Sequence, residues 1–106
     1  MHVDPPRPPL VCDVAQEIAG DAVVLWGAIS AQTDARGKYV ITVRKSGPTG
    51  ASNIRQAGEF IARPGSAAAV GRVSVRIEPG GSFDVVLTAE ADGQEAVCTR
   101  RGERVK

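Results

Sequence analysis

Apolar and polar residues alternate along most of this chain with a period of two, and glycine-bearing turns cut the alternation at short intervals. Between Gly71 and Glu78, Val73, Val75 and Ile77 alternate with Arg72, Ser74 and Arg76. Successive side chains of a strand point to opposite faces, so this pattern describes a strand with one face buried. Phe83, Val85, Leu87 and Ala89 repeat it against Asp84, Val86, Thr88 and Glu90, and Tyr39, Ile41 and Val43 repeat it against Lys38, Val40, Thr42 and Arg44. Turn signals separate the runs at Ala19-Gly20-Asp21, Thr33–Gly37, Pro79-Gly80-Gly81 and Asp92-Gly93. Asp-Gly is a strong hairpin signal because both residues tolerate positive φ.

The spacing predicts strands over 10–18, 22–31, 38–46, 54–63, 70–78, 82–91 and 94–100. Ala67–Ala69 is too short for a helix and lies beside Pro64-Gly65. Short strands at this spacing predict an all-β fold, a seven-stranded β-sandwich of immunoglobulin or fibronectin-III type. At 106 residues the chain has room for one core. The expected organisation is a Pro-rich lead-in over 1–9, a sandwich domain over 10–101 and a tail over 102–106. Four prolines within residues 5–9 read as a stiff, extended lead-in.

Composition removes several function classes. The formal net charge is +1, too balanced for a chain held to nucleic acid by a general field. Apolar runs fall well short of the ~20 residues of a membrane helix. His2 is the single histidine and sits in the lead-in, so neither a Ser-His-Asp nor a Cys-His pair is expected. Two cysteines and a terminal histidine do not compose a tetrahedral zinc site. The expectation is no enzyme, no metal, no cofactor and no small-molecule substrate. Ser46–Asn53 is rich in glycine and hydroxyls, but no GK[ST] ending follows it and it reads as a flexible connector.

Cys12 and Cys98 lie near opposite ends of the chain. They are either two buried thiols or one bridge between the first and last strands, and the bridge is the favoured reading. It would close nearly the whole chain and stabilise it by ~4 kcal/mol in the chain-entropy account. Their spacing is unlike the CxxC of thiol oxidoreductases. Cys12 is expected to share an inward face with Val14, Gln16 and Ile18.

The small net charge hides an asymmetry. Residues 36–78 carry eight bases and two acids, a net +6, whereas residues 1–35 carry a net −4. If the topology is fibronectin-like, the fourth and fifth strands are edges on one side, with Arg55 and Arg63 near Arg72 and Arg76. Charged edges stop sheets from adding to one another. The same charges would attract an anionic or strand-forming partner. Val23, Leu25 and Ile29 look inward, which turns Trp26 outward unless Gly27 marks a bulge.

The order of motifs resembles a known family. Ser46-Gly47-Pro48-Thr49-Gly50-Ala51-Ser52-Asn53-Ile54-Arg55-Gln56 is similar to the Gly/Ser-rich loop and Gln-bearing strand of the curli assembly chaperones, the CsgC/CsgH-like family. Val73–Gly81, Phe83–Thr88 and Asp92-Gly93-Gln94 follow in that family's order, so the resemblance spans about residues 20–100 and is greater to the CsgH branch. It implies a periplasmic, immunoglobulin-like protein that keeps the curli major subunit from nucleating amyloid. The N-terminal residues have no basic n-region and no apolar h-region, so they do not read as a signal peptide; the expectation is a mature form and a monomer. The resemblance also implies a basic surface that guides a transient encounter, for which the strand pattern offers Arg44, Lys45, Arg55, Arg63, Arg72 and Arg76. The Cys-x-Cys pair of some CsgC-type members is replaced here by Ala35-Arg36-Gly37, so a redox role tied to it does not carry over. The competing readings are an adhesion or interaction module that binds a folded partner stably, anchored by Trp26 or Tyr39, and a thiol oxidoreductase using Cys12 and Cys98.

Overall fold

The chain is described over residues 9–105 by a computed structural model. The Pro-rich lead-in and His2 fall almost wholly outside the described residues. Seven strands run in order: β1 (Val11–Ala19), β2 (Ala22–Ser30), β3 (Ala35–Gly47), β4 (Gly50–Ala62), β5 (Ala68–Arg76), β6 (Ser82–Ala91) and β7 (Gln94–Glu103). They form a three-stranded sheet of order β1-β2-β5 and a four-stranded sheet of order β4-β3-β6-β7, all antiparallel. The two sheets pack face to face as a β-sandwich.

The alternating residues build the core between the sheets. Leu25 and Ile29 of β2 meet Ile41 and Val43 of β3 and Val85 and Leu87 of β6, all at most 1% exposed. Each such side chain contributes roughly 1.5–3 kcal/mol by leaving water. Gly27 sits among them because a Cβ there would meet Leu87 Cδ2 at 2.6 Å.

Three sequence expectations are corrected. Ser46–Asn53 is not a flexible connector. Lys45 pairs with Ser52, Ser46 with Ala51 and Gly47 with Gly50, so the stretch is the tip of a hairpin turning at Pro48-Thr49. Its small residues carry no alternation of their own, and β3 supplies the ladder that orders them. Ile18 keeps the parity of Val14 but is 69% exposed, because it lies near the end of edge strand β1. The tail expected from residue 102 begins within β7, which runs to Glu103. Arg104 is also tied down, with Nη1 donating to the Ile77 carbonyl at 2.8 Å.

The irregularity near Trp26 lies on β5 rather than at Gly27. Leu25 pairs with Val73 and Gly27 with Val70, so Gly71 and Arg72 together oppose Trp26. Gly71 has φ of 64°, the left-handed conformation of a bulge whose first residue is glycine. Trp26 therefore stays on the outer face of the three-stranded sheet, as parity predicts, and is half-buried there.

Candidate functional site: the seam between β4 and β5

A sandwich has two open sides, and here they differ. On one side the edge strands β1 and β7 are joined by the Cys12–Cys98 disulfide, with Cα atoms 6.1 Å apart. Arg100 of β7 donates from Nη1 to the Val14 carbonyl at 2.9 Å and from Nε to Gln16 Oε1 at 3.1 Å. The Leu10 amide donates to Gln94 Oε1 at 2.9 Å. Covalent and hydrogen-bonded ties close that side.

The other side is formed by β5 and β4, the free edges of the two sheets. Side chains reach across it to the main chain of β5. Gln56 Nε2 donates to the Arg72 carbonyl at 3.4 Å, and Lys45 Nζ to the Arg76 carbonyl at 3.1 Å. Both bonds are exposed. The inner face of β4 is covered unevenly. Phe60 and Ala62 are buried, whereas Ser52 and Gln56 on the same face are exposed and Ile54 is half-buried. Tyr39 of β3 forms part of the floor. Its ring lies between Gly58 of β4 and Gly71 of β5, where added Cβ atoms would meet it at 3.1 and 3.2 Å. A cleft of about 450 Å³ opens at one end, lined by Lys45, Ser52, Arg76 and Glu78 among others.

Glu78 fixes the wall of that cleft. Its carboxylate accepts the Thr49 amide at 2.9 Å and the Thr49 hydroxyl at 2.7 Å, so it clamps the β3–β4 hairpin tip to the end of β5. The Thr49 amide, the Thr49 hydroxyl and the charge of Lys45 hold its carboxyl below the usual carboxylate range.

The six basic residues singled out in the sequence surround this seam but do not share a face. Arg44 and Arg55 point from the outer face of the four-stranded sheet, Arg44 opposite Asp84 and Arg55 opposite Thr42. Arg72 and Arg76 point from the outer face of the three-stranded sheet. Arg72 lies 5.6 Å from the Trp26 ring centroid, and Arg76 Nε pairs with Asp21 Oδ2 at 3.1 Å. Lys45 has inward parity and caps the seam at one end, while Arg63 stands just beyond β4 at the other, bridged to Ser66. The strand pattern placed the fourth and fifth strands as edges on one side, which the topology shows, and missed the division of the basic residues between two faces. It also missed Gln56 as a cap, although a polar residue at an inward position of an edge strand was the available signal.

The sequence matches the CsgH protein family over residues 11–101. Among solved structures, the solution structure of CsgH from R. palustris is similar, with a TM-score of 0.74 and 30% identity, over 85% of this chain and 89% of that one. The E. coli curli protein CsgC shares the fold with a TM-score of 0.70 and 17% identity, over 87% of this chain and 96% of that one. No curated protein matches the sequence. The chain belongs to the CsgH family.

Proposed function

We propose that this CsgH-family protein serves curli assembly as a non-enzymatic periplasmic chaperone, and that it delays amyloid nucleation of the curli major subunit through brief, electrostatically guided contacts. The observation that carries the reading is the ring of basic side chains around an open seam, on a fold shared with a curli protein. Arg44, Lys45, Arg55, Arg63, Arg72 and Arg76 present positive charge from both outer faces and from the rim between them. An extended, aggregation-prone chain approaching this side meets cations whichever face it reaches first. Long-range attraction raises the encounter rate without requiring a stable interface. A sandwich whose own free edges are charged and capped does not join the growing fibre.

No covalent step is required of the protein. The disulfide stands on the opposite side from the seam and is a structural tie, which suits an oxidising compartment. Nucleation is rare, so an inhibitor acting on the nucleus works well below the subunit concentration.

Dye-monitored fibrillation of a curli major subunit tests the reading. A small molar fraction of this protein is expected to lengthen the lag. The effect should fade with added salt, as the screening length falls from ~10 Å at 0.1 M to ~3 Å at 1 M. An unchanged lag at equal concentration would overturn it.

A second reading has one observation in its favour. Val86 and Val97, 42% and 56% exposed, lie near Val40 on the outer face of the four-stranded sheet, a small apolar area that suits a stable partner. A stoichiometric complex that survives gel filtration would support that interaction module.

A further inference from the structure

Three strands face four in this sandwich, and the strand left without a full counterpart is β4. A strand added to the free edge of β5 would extend the three-stranded sheet and stand over the uncovered part of β4. The side chains awaiting cover there are Ser52, Ile54 and Gln56, with Tyr39 beside them between two glycines. The same sheet edge displays main-chain acceptors. Alternate residues of a strand direct their amide and carbonyl to the same side. The Arg72 and Arg76 carbonyls face the seam, because Gln56 and Lys45 reach them there. The intervening Ser74 therefore directs its amide and carbonyl to the seam as well, whereas the Ile77 amide turns the other way, to the Asp21 carbonyl at 3.2 Å.

We propose that the β5 edge is a strand-acceptor site, which takes an extended segment bearing acidic side chains as a transient fourth strand of the β1-β2-β5 sheet. Residues 72–76 would bond its main chain. Alternate side chains would point inward over Tyr39 and Ile54, and the others outward beside Arg72 and Arg76. Charge selects the acidic character of the segment, since both outward flanking residues on β5 are arginines. Gln56 and Lys45 act as displaceable caps. They satisfy the edge in the free protein and prevent self-association, then yield their acceptors to the incoming strand. Main-chain bonding makes the site tolerant of sequence, as a site for early aggregates requires. This inference rests on the chaperone reading for its physiological client, but not for its test.

A short synthetic peptide of alternating valine and aspartate is the probe, followed by amide NMR of this protein. Binding is expected to shift the amides of residues 72–76 and the ring of Tyr39, and to slow hydrogen exchange at Ser74. Ser74→Pro removes one seam-facing amide at a position where an edge strand tolerates proline, and should abolish the effect. Gln56→Ala uncaps the Arg72 carbonyl and should tighten peptide binding about fivefold, the equivalent of one net hydrogen bond. A site that works by charge alone predicts no change for Gln56→Ala, and that result would overturn the strand-acceptor site. So would shifts confined to Arg44 and Arg55, or no shifts at millimolar peptide. Inhibition of fibrillation that persists in a folded Ser74→Pro protein would place the client elsewhere and leave the chaperone reading standing. A wild-type protein that binds the peptide but never delays fibrillation would do the reverse.

Discussion

The Arg72 guanidinium lies over the ring of Trp26, 5.6 Å from its centroid, and it is Gly71 that puts it there. The bulge sets Gly71 and Arg72 together against Trp26, so the cation and the ring meet on the outer face. An exposed pair of this kind contributes roughly 0.5–1 kcal/mol. Trp26 is the single tryptophan, so tryptophan fluorescence reports on this one site. Arg72→Ala should leave the fold intact, increase acrylamide quenching of Trp26 and reduce stability by about that amount. Unchanged quenching would show that the arginine does not shield the ring.

Gly71 itself is under two constraints. Its φ of 64° disfavours any L side chain, and a Cβ there would meet Ile41 Cγ2 at 2.6 Å. Ile41 is fully buried and has little room to move. Gly71→Ala is therefore expected to cost on the order of 1–3 kcal/mol in denaturant unfolding. Gly20→Ala makes a useful comparison. Gly20 also has positive φ, at 66°, but a Cβ there would meet nothing within 4 Å. It should cost less, and equal costs would mean that packing against Ile41 adds nothing.

Much of this was legible in the sequence because period-two alternation reports directly on a half-buried strand. Val73, Val75, Ile77, Phe83, Val85 and Leu87 all face inward as their spacing requires. The placement of the fourth and fifth strands as edges on one side was legible as well. Ser46–Asn53 was not legible, since its order comes from β3 and from the carboxylate of Glu78, distant in sequence. Gly27 does not mark the bulge that its place beside Trp26 allows; the glycine makes room for Leu87 instead. Nor does a strand pattern say which outer face a residue occupies relative to another sheet, and Arg55 and Arg72 proved to lie on opposite ones.

The disulfide and the seam lie on opposite sides, so they should be separable. Replacing both Cys12 and Cys98 by alanine is expected to lower unfolding free energy by about 2–4 kcal/mol. At temperatures where the variant stays folded, its effect on subunit fibrillation should match the wild type. Lost inhibition in a folded variant would contradict the assignment of the seam as the working side.

Acid should loosen the hairpin tip before the core. The Glu78 carboxyl is held below its ordinary value of 4.5, mainly by the Thr49 amide. A depressed carboxyl contributes stability above its unfolded value, and that contribution is lost as pH falls through the folded one. Hydrogen exchange at Thr49, corrected for intrinsic rate, should thus lose protection below about pH 4.5 while amides of β6 keep theirs. Glu78→Gln should remove that pH dependence, and a dependence that survives the change would assign it to another group.

The central claim is that positive charge around the β4–β5 seam delays nucleation. It is tested most directly by comparing two charge reversals in the fibrillation assay. One protein carries Arg55→Glu, Arg72→Glu and Arg76→Glu around the seam. The other carries Arg101→Glu on the far edge strand β7, where Arg101 pairs with Asp84 at 2.9 Å. With both proteins verified as folded, the account predicts that the seam variant loses the lag extension and that the Arg101 variant keeps it. Full inhibition by the seam variant would contradict the account and move the working surface away from these arginines.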